Sequence, residues 1–550
     1  MTKLPLRHPS VLNASFNYFI ETRDLTPNLP NDSLFSQQWH LFNEGQEGGK
    51  TGADIKISNA WHLTQGGVTA QGDTIVVAVV DNGTQTHRDL DINRWHNWNE
   101  IPNNDIDDDR NGFVDDFLGW NVVSKNDSLS TALSDFHGIG VEGVLGAVGN
   151  NNAGVTGVAW RVKMMPVIFY NNVEEVIACY DYVLNMRNLY NKTNGAKGAF
   201  IVVSNASLGI PLKPEEAPGW CELLDTMGRV GILNVGAAPN SELNVDNSPD
   251  LPAFCPTDLQ IVVTASDRND NLPRGYGYGI NNVDVAAPGI EILTTEIKNG
   301  YKRTNGTSLA APIVAGIAAL AFTVPCDSLV KLNKTRPTEG VLLLKKMILD
   351  NVDFMDNMRT RVKIGGRANA EKPLFTALDL CRPCSRPKDI KPFFVKKQLQ
   401  FSARFDEGNL EVRFRTKNGL WSSPQSTQQG PLSIQGLKTC TEYDFEIKTV
   451  CEKGESDTTL ITLKTEGCDV QLIPNPFSNI LTIDNLQTSN NISRIEVFTI
   501  DGRLVFAKNV NIGNEIVDFD ELASLRAGFY LVKMRIGATN VVKKIVKTNP

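Results

Sequence analysis

Five short runs of apolar, mostly β-branched residues recur between positions 70 and 325, and they restrict the fold of this region more than any other feature. The runs cover residues 75–80, 162–170, 200–203, 231–235 and 261–263. Helix-like segments separate them, and none of the runs alternates polar with apolar residues. Each run therefore predicts a strand covered on both faces, as in the parallel sheet of an α/β domain. The ligand site of such a sheet lies beyond the carboxyl ends of its strands, so the residues after each run are the candidates for function.

The pattern changes near Pro387, where segments with alternating polar and apolar residues begin. Residues 410–414 and 443–447 alternate in this way, and turn residues separate them, which predicts a small β-sandwich. A second all-β unit is predicted from Pro474 to the end of the sequence, with a hairpin turn at Asp501-Gly502. A chain of 550 residues is too long for one core, so several domains are expected.

Charge and hydropathy argue against two classes of partner. The formal net charge is -8, and no block of Lys and Arg offers a surface for phosphates, so nucleic acid is not expected as a partner. The longest apolar stretches, 75–80 and 313–322, are far below the roughly 20 residues needed to span a bilayer. No secretory h-region follows residues 1–7. Either the signal lies outside this sequence or the protein is cytoplasmic.

The chain has nine cysteines, at positions 179, 221, 255, 326, 381, 384, 440, 451 and 468. They do not form the double Cys-x2-Cys array of a metal site, although Cys381 and Cys384 form one such pair. Buried free thiols are one interpretation. Several cysteines lie near segment ends in the C-terminal third, however, so we expect a few disulfides in an oxidising compartment, and one unpaired thiol. The sequence does not assign their connectivity.

Three segments carry residue types suited to nucleophilic catalysis. Asp81 follows the first apolar run, where the sheet could fix a carboxylate that orients a histidine, although Asp-Asn-Gly is also a common turn. His137 opens the segment His-Gly-Ile-Gly-Val-Glu-Gly, whose small residues suit a closely packed helix; a lone histidine there also fits a structural role. Ser308 lies where coil becomes an apolar helix, whose N-terminal amides favour negative charge. Ser308 or Thr307 could instead be a simple N-cap, but Pro312 and the small residues nearby indicate tighter packing than a cap requires.

In their order and motifs, these segments resemble the subtilisin-like serine peptidases, or subtilases, over roughly residues 35–380. Asp81, His137 and Ser308 match the Asp, His and Ser motifs of that family. The resemblance implies a subtilisin-like α/β fold, with a parallel sheet and helices on both faces. It also implies a secreted serine endopeptidase that hydrolyses peptide bonds through an acyl-enzyme intermediate.

Two further segments match parts of the family's substrate site. Gly-Ala-Ala-Pro-Asn at 236–240 resembles the family's Ala-Ala-Gly-Asn segment, which would make Asn240 the side-chain donor to the oxyanion rather than an ordinary loop residue. Ser207, Leu208 and Gly209 resemble the strand that pairs with extended substrate backbone, although an ordinary strand end would look the same.

The sequence departs from the family pattern at three positions. Ile139 replaces a threonine beside the histidine, Glu142 replaces a small residue, and Pro239 replaces a glycine beside Asn240. Glu142 either raises the pKa of His137 or faces solvent. These departures support an alternative hypothesis, in which a degenerate peptidase domain serves as a non-catalytic surface-binding protein.

An acidic segment at 105–116 has the spacing of a site for a hard cation. Oxygen ligands alternate there, and Gly112 permits a sharp turn, as in the first half of an EF-hand loop. We expect structural Ca²⁺, since a solvated acidic turn would leave its carboxylates repelling one another. The predicted ligands are the side chains of Asp107, Asp109, Asn111 and Asp116 and the carbonyl of Phe113.

Three segments flank the predicted peptidase domain, which we expect to span residues 35–381. Residues 1–34 are expected to be a propeptide remnant or an N-terminal extension. Residues 386–467 resemble a fibronectin type III domain, in which Trp421, residues 432–437 and the tyrosine-corner candidate Tyr443 carry the pattern, and which would act as a spacer.

Residues 468–550 resemble the C-terminal sorting domain of the type IX secretion system, from Pro-Asn-Pro-Phe at 474–477 to Lys-Lys-Ile-Val-Lys at 543–547. This resemblance implies a secreted or cell-surface protein that is handled by the type IX machinery and whose signal peptide lies outside the given sequence. The expected partners are polypeptide substrates and that machinery, without a membrane span.

Overall fold

The structure is a computed structural model that covers most of the chain. It describes residues 29–131, 136–381, 384, 386–395, 398–405, 408–417, 419–428, 430–438, 441–451, 454–465, 471–484, 492–512, 516–536 and 539–549. Most of the predicted N-terminal extension, residues 1–28, lies outside these ranges. The chain divides into two compact units, the first of which ends at Cys381. Each unit contains hydrophobic cores of its own.

The described part of the first unit contains a nine-stranded sheet, a two-stranded sheet and eight α-helices. Its strands are β1 (Val76–Asp81), β2 (Trp120–Asn121), β3 (Lys163–Ile168), β4 (Ile201–Ala206), β5 (Leu233–Ala237), β6 (Gln260–Ser266), β7 (Val285–Pro288), β8 (Ile292–Glu296), β9 (Gly300–Thr304), β10 (Asp353–Phe354) and β11 (Gly366–Arg367). Its helices are α1 (Ile57–Ala60), α2 (His137–Gly146), α3 (Val173–Thr193), α4 (Pro218–Arg229), α5 (Thr307–Ala321), α6 (Ser328–Thr335), α7 (Pro337–Leu349) and α8 (Glu371–Asp379). Single 3₁₀ turns lie at Phe35–Gln37, Gln46–Gly48, Asp91–Asn93, Pro214–Glu216 and Asp356–Met358.

The large sheet is parallel apart from one edge. Its strand order is β10-β11-β7-β6-β5-β4-β1-β3-β2, and only β10 and β11 pair antiparallel. The five apolar runs all fall on its strands, β1, β3, β4, β5 and β6, as predicted. Strands β8 and β9 form a separate antiparallel hairpin.

Helices cover both faces of this sheet, which explains why its strands are apolar throughout. Along β1, Val77 and Val79 belong to the core that contains α2, α5 and α7, whereas Val76 and Val80 belong to the core that contains α3 and α4. Because successive side chains of a strand point to opposite faces, both sets must be apolar.

Helix α5 is the central helix of the first unit, and all of its residues are buried. It packs on β4, β5, β6 and β7 and against α2. A helix that is apolar on every side suits this position, since sheet and helices surround it. Its N-terminus lies where the strands end, and this places its first residues at the carboxyl edge of the sheet.

The second unit is built of antiparallel strands. They are β12 (Lys388–Val395), β13 (Gln398–Arg404), β14 (Asn409–Thr416), β15 (Gln425–Thr427), β16 (Leu432–Ser433), β17 (Glu442–Cys451), β18 (Gly454–Glu455), β19 (Thr459–Lys464), β20 (Gln471–Ile473), β21 (Leu481–Asp484), β22 (Ile492–Thr499), β23 (Leu504–Ile512), β24 (Ile516–Phe519), β25 (Gly528–Ile536) and β26 (Thr539–Lys547). A 3₁₀ turn lies at Glu521–Ser524.

These strands form two pairs of sheets. The first pair has the orders β12-β13-β16 and β15-β14-β17-β18, with β19 also on β17, and the second has the orders β20-β21-β24 and β23-β22-β25-β26. Tyr443, Phe445 and Ile447 are buried along β17 while the residues between them are not, as the alternating pattern predicts. The Asp501-Gly502 turn joins β22 to β23, also as predicted.

The structure contains three disulfides among its described residues, which confirms the prediction of disulfide bonds. They join Cys221 to Cys255, Cys326 to Cys381 and Cys384 to Cys451. Cys381 and Cys384 therefore belong to two different disulfides. Cys179 is a buried free thiol, and Cys440 and Cys468 lie outside the described residues.

Across the part of the chain that the structure describes, we find no helix with the length and hydropathy that a bilayer crossing requires.

The Cys221–Cys255 disulfide links α4 to the segment before β6 across a sequence separation of 34 residues. We expect the double substitution Cys221→Ser/Cys255→Ser to destabilise the first unit by about 3–4 kcal/mol, the loop-closure entropy that such a cross-link removes from the unfolded chain. Thermal unfolding measures the change. Cys179→Ala is the control, because it removes a buried sulfur without opening a cross-link; equal destabilisation by both changes would contradict the prediction.

Candidate active site

Asp81 and His137 meet at the carboxyl edge of the sheet. Asp81 is the last residue of β1, and His137 is the first residue of α2. His137 Nδ1 lies 2.9 Å from Asp81 Oδ1 and 3.1 Å from Oδ2. Asn82 Oδ1 accepts a hydrogen bond from the His137 backbone amide at 3.2 Å. Residues 81 and 82 thus hold both the ring and the backbone of His137.

The residue after His137 must be small for this contact to form. A Cβ atom on Gly138 would lie 2.7 Å from the carbonyl oxygen of Gly83 and 3.0 Å from the Cβ of Asp81. Because such distances are closer than van der Waals contact allows, only glycine lets α2 begin this close to the end of β1.

Ser308 is the second residue of α5, and 6% of it is exposed. Pro312 lacks the N–H that would normally bond the carbonyl of Ser308 four residues earlier. Ser207 replaces that donor, because its Oγ donates a hydrogen bond to the Ser308 carbonyl at 3.0 Å. The proline within α5 and the serine after β4 are therefore linked features that fix the first turn of the helix. Gly306 occupies the N-cap position, so neither Thr307 nor Ser308 is the N-cap.

Asn240 follows β5 and is held against the same helix end. Its Oδ1 accepts hydrogen bonds from the Thr307 amide at 2.9 Å and from Thr307 Oγ1 at 3.0 Å. Thr307 Oγ1 also lies 2.6 Å from the carbonyl of Ala238. Since the carbonyl oxygen of Asn240 faces Thr307, its Nδ2 is the side-chain group that can donate to a ligand.

A cavity of about 210 Å³ opens beside Ser308. Its walls come from three segments of the carboxyl edge and from one loop residue: Ser207, Leu208, Gly209, Ala237, Ala238, Pro239, Asn240, Thr307, Ser308 and Asp250. The structure therefore brings Ser308, Asn240 and the predicted substrate-binding segment 207–209 to one cavity, and pairs Asp81 with His137.

Asp250 was not predicted from the sequence to be a site residue. It is 5% exposed, and its Oδ2 has no hydrogen-bond partner among the described residues. Burial raises its pKa to about 7. No sequence signal could have identified it, because it is one of three aspartates in the segment between β5 and β6 and belongs to no motif.

Glu142 is buried one and a half turns after His137, and 1% of it is exposed, so the solvent-facing alternative is wrong. Arg94 Nη2 donates to Glu142 Oε2 at 3.1 Å, and Thr84 Oγ1 donates to the same oxygen at 2.6 Å. Arg94 also donates to the carbonyl of Gln85 at 2.6 Å. Burial raises the pKa of Glu142, while Arg94 and Thr84 oppose that shift. Glu142 thus joins α2 to the loop that follows Asp81.

A cluster of three buried carboxylates shares no residue with the sites described so far. Glu100, Asp109 and Asp116 are buried, and their carboxylate oxygens lie within 4.8 Å of one another. Asn97 Nδ2 donates to Asp109 at 3.0 Å and to Asp116 at 2.7 Å, whereas Asp109 Oδ1 has no partner among the described residues. Burial raises the pKa of Asp116 to about 7 and also raises the pKa of Glu100. These three residues could hold a metal ion.

The predicted calcium ligands occupy different places around this cluster. Asp109 and Asp116 are members of it, and Asn111 donates its Nδ2 to Asp116 at 2.9 Å. The Asp107 carboxylate instead accepts hydrogen bonds from the backbone amides of Asn111 at 3.0 Å and Gly112 at 2.8 Å, and the Phe113 amide donates to Asn111 Oδ1 at 2.7 Å. Asp107 thus shapes the loop, while Glu100, which lies outside the acidic run, completes the cluster.

Residues 72–336 match the model of the subtilase family, and residues 471–548 match that of a secretion system C-terminal sorting domain. The chain therefore contains a subtilase domain with the subtilisin-like α/β fold, as predicted, followed by small all-antiparallel β sheets and a sorting domain.

Curated relatives match about half of the chain. The chain is 30% identical over 318 residues to an extracellular protease of Xanthomonas campestris pv. campestris, a match that covers 54% of this chain and 50% of that protein. It is 31% identical over 319 residues to an extracellular basic protease of Dichelobacter nodosus, covering 54% and 48%. The chain thus spans about half the length of these curated relatives.

Among solved structures, a protease from Pseudoalteromonas arctica matches with a TM-score of 0.46 and 22% identity, over 63% of this chain and 99% of that one. The epidermin leader peptide processing serine protease of Staphylococcus aureus matches with a TM-score of 0.44 and 20% identity, over 64% and 83%.

We expect Glu142→Ala to destabilise the first unit by about 3 kcal/mol, because it leaves the buried Arg94 guanidinium without its buried carboxylate partner and with only the half-exposed Asp91 carboxylate at 3.2 Å. Thermal or denaturant unfolding measures this. The double variant Glu142→Ala/Arg94→Met removes both charges and should recover most of the loss, since replacing a whole buried pair by apolar groups is often neutral. A double variant less stable than Glu142→Ala would show that the unpaired charge is not the cause.

Proposed function

We propose that this chain, which contains a subtilase domain, is a secreted serine endopeptidase that uses Asp81, His137 and Ser308 as its catalytic residues. The observation that carries the proposal is the contact of His137 Nδ1 with Asp81 at 2.9 Å, formed at the same sheet edge as the helix end that bears Ser308. The similarity of the chain to two extracellular proteases supports it.

In the proposed mechanism, Ser308 Oγ attacks the scissile carbonyl and His137 accepts its proton through Nε2. Asp81 holds the imidazole with Nδ1–H donating to its carboxylate, and it stabilises the imidazolium that forms. The Asn240 Nδ2 group and the Ser308 amide, at the start of α5, would donate to the oxyanion. His137 then returns the proton to the leaving amine, and water hydrolyses the acyl-enzyme by the same steps.

The departures from the family pattern do not break the contact of His137 with Asp81, which supports the proposal. The Ile139 side chain is buried, and its carbonyl accepts a hydrogen bond from Thr295 at 2.5 Å. Glu142 pairs with Arg94 rather than with His137, and Pro239 accepts a backbone hydrogen bond from Gly277 at 2.7 Å. Ile139 thus packs in the core and Glu142 has a charge partner of its own, which supports the catalytic proposal over the alternative of a non-catalytic binding protein.

A serine-directed fluorophosphonate tests this function. We expect the wild-type protein to be labelled and to hydrolyse peptides, and Ser308→Ala to lose both labelling and more than about 99.9% of kcat, since loss of the nucleophile removes the covalent route. Ser241→Ala is the matched control, because Ser241 is exposed and does not line the cavity beside Ser308. Equal labelling of wild type and Ser308→Ala would refute the peptidase assignment.

We further propose that Glu100, Asp109 and Asp116 hold structural Ca²⁺. All three donors are carboxylates, the set that hard cations prefer. They are buried close together, and the unpartnered Asp109 Oδ1 and the raised pKa of Asp116 support the proposal, because both indicate negative charge that is poorly compensated. A bound divalent ion would offset this repulsion and tie the loop to the segment that contains Asn97.

Calcium should therefore raise the thermal unfolding midpoint of the first unit, and a chelator such as EGTA should lower it, because an ion that binds only the folded state stabilises it. Asp116→Asn should abolish most of this response. Asp105→Asn is the matched control, since Asp105 belongs to the same acidic loop but is exposed. If neither calcium nor EGTA changes the thermal unfolding midpoint of the wild-type protein, the proposed site is excluded.

The C-terminal sorting domain supports export, so we propose a secreted or cell-surface location and handling by type IX secretion machinery.

We also propose that residues 386–467 form a fibronectin type III-like spacer. The sheet orders β12-β13-β16 and β15-β14-β17 agree with such a sandwich. Tyr443 Oη accepts a hydrogen bond from the Lys438 amide at 2.9 Å, which is the contact of a tyrosine corner.

A further inference from the structure

The cavity beside Ser308 contains one charged side chain, that of Asp250. The other lining residues are neutral: Ser207, Leu208, Gly209, Ala237, Ala238, Pro239, Asn240, Thr307 and Ser308. These described lining residues thus include no cation to balance the carboxylate. Asp250 Oδ2 is fully buried and has no hydrogen-bond partner among the residues that the structure describes.

Backbone hydrogen bonds at Asp250 and at the next residue hold this part of the chain in place. Leu251 and Ile210 exchange two backbone hydrogen bonds of 2.9 Å, which join the Asp250 segment to the segment after β4. The Phe254 amide donates to the Asp250 carbonyl at 2.8 Å. Gly209 leaves room for the carboxylate, because a Cβ atom there would lie 3.1 Å from Oδ2. The backbone of Asp250 is therefore anchored, and its carboxylate lines the cavity without a side-chain partner among the described residues.

A buried carboxylate without a partner is costly, since desolvation disfavours its charged form. Burial alone accounts for the pKa of about 7 that Asp250 shows. Lys and Arg side chains could offset this cost, because a charged donor restores the hydrogen bonds and the charge balance that the cavity wall lacks. An acidic side chain would instead add a second buried negative charge.

We propose that this cavity receives the side chain on the amino side of the scissile bond, and that Asp250 selects Lys or Arg at that position. The inference rests on the proposed peptidase function, since it takes Ser308 as the nucleophile. The cavity adjoins Ser308 and has a volume of about 210 Å³, the space of several water molecules at roughly 30 Å³ each. A long cationic side chain can thus enter it while the peptide carbonyl stays beside Ser308 and Asn240.

Matched fluorogenic peptides that differ only at this substrate position test the proposal on the full-length protein. We expect kcat/KM for Lys or Arg to exceed that for Leu or Phe by about 30-fold or more, the lower end of what a buried charge pair contributes when one partner is removed. Glu at the same position should be the poorest substrate. Asp250→Asn should reduce the basic-to-apolar ratio to below about 3-fold, mainly by slowing cleavage after Lys and Arg, because the amide carries no charge to pair with the cation.

Glu242→Gln is the matched control. It removes one negative charge from the same loop, but Glu242 is exposed and lies 3.8 Å from Arg361 rather than in the cavity. The control should keep the basic-to-apolar ratio of the wild type. If the basic-to-apolar ratio falls equally in Glu242→Gln and Asp250→Asn, the selectivity comes from the net negative charge of the loop rather than from the carboxylate in the cavity. That result would overturn the proposal.

Fluorophosphonate labelling separates failure of this inference from failure of the peptidase assignment. A protein that is not labelled and cleaves no peptide refutes the peptidase function and, with it, the inference. A labelled protein that prefers apolar residues, or whose Asp250→Asn variant keeps the basic preference, refutes the inference alone. Asp250→Asn should fold, because it removes an unpaired buried charge, and its labelling checks this. If it does not fold, Asp250→Ser and the wild-type peptide comparison decide the question.

Discussion

The candidate site depends on the close packing of two helix ends against the carboxyl edge of one parallel sheet. Helix α2 can begin beside Asp81 because Gly138 leaves no side chain between them, and it lies against β8 because a Cβ atom on Gly143 would clash with Thr294 and Thr295 at 2.4 and 2.2 Å. Helix α5 is buried on every side, and its first turn is fixed by Ser207 and Asn240. If either helix end packed less closely, the side chains proposed for catalysis would move apart, although proton transfer requires them within hydrogen-bond distance.

Three sets of buried acidic groups in the first unit differ in their partners, and the differences support three different roles. Glu142 has an internal cation in Arg94, which makes it part of the scaffold. The cluster of Glu100, Asp109 and Asp116 is held by neutral amide and hydroxyl partners, which agrees with the proposed Ca²⁺ site. Asp250 has no partner at Oδ2 among the described residues and lines an open cavity, which suits a ligand that enters and leaves. The partner of a buried carboxylate is thus a better guide to its role than its burial is.

The sequence allowed prediction of the features that local pattern determines. Five apolar runs predicted the central strands, and the motifs around Asp81, His137 and Ser308 predicted which residues lie at the carboxyl edge of the sheet. It did not predict Asp250, Glu100 or the Arg94 partner of Glu142. Each of these lies in a loop or turn with no periodicity, and it reaches its neighbours only through pairings between separate segments of the chain. Arg94 and Glu142, for example, are 48 residues apart.

The residues that the sequence predicted and the residue proposed to set substrate specificity lie in different parts of the fold. Asp81, His137 and Ser308 end a strand or begin helices, so packing of the main core fixes them. Asp250 belongs instead to the long segment between β5 and β6, which is held by the two hydrogen bonds between Leu251 and Ile210 and by the disulfide at Cys255. Substitutions in that segment can change the charge of the cavity without disturbing the contact of Asp81 with His137. The architecture therefore separates the proposed triad of Asp81, His137 and Ser308 from the carboxylate that we propose selects the substrate, and Asp250 can vary while the triad stays fixed.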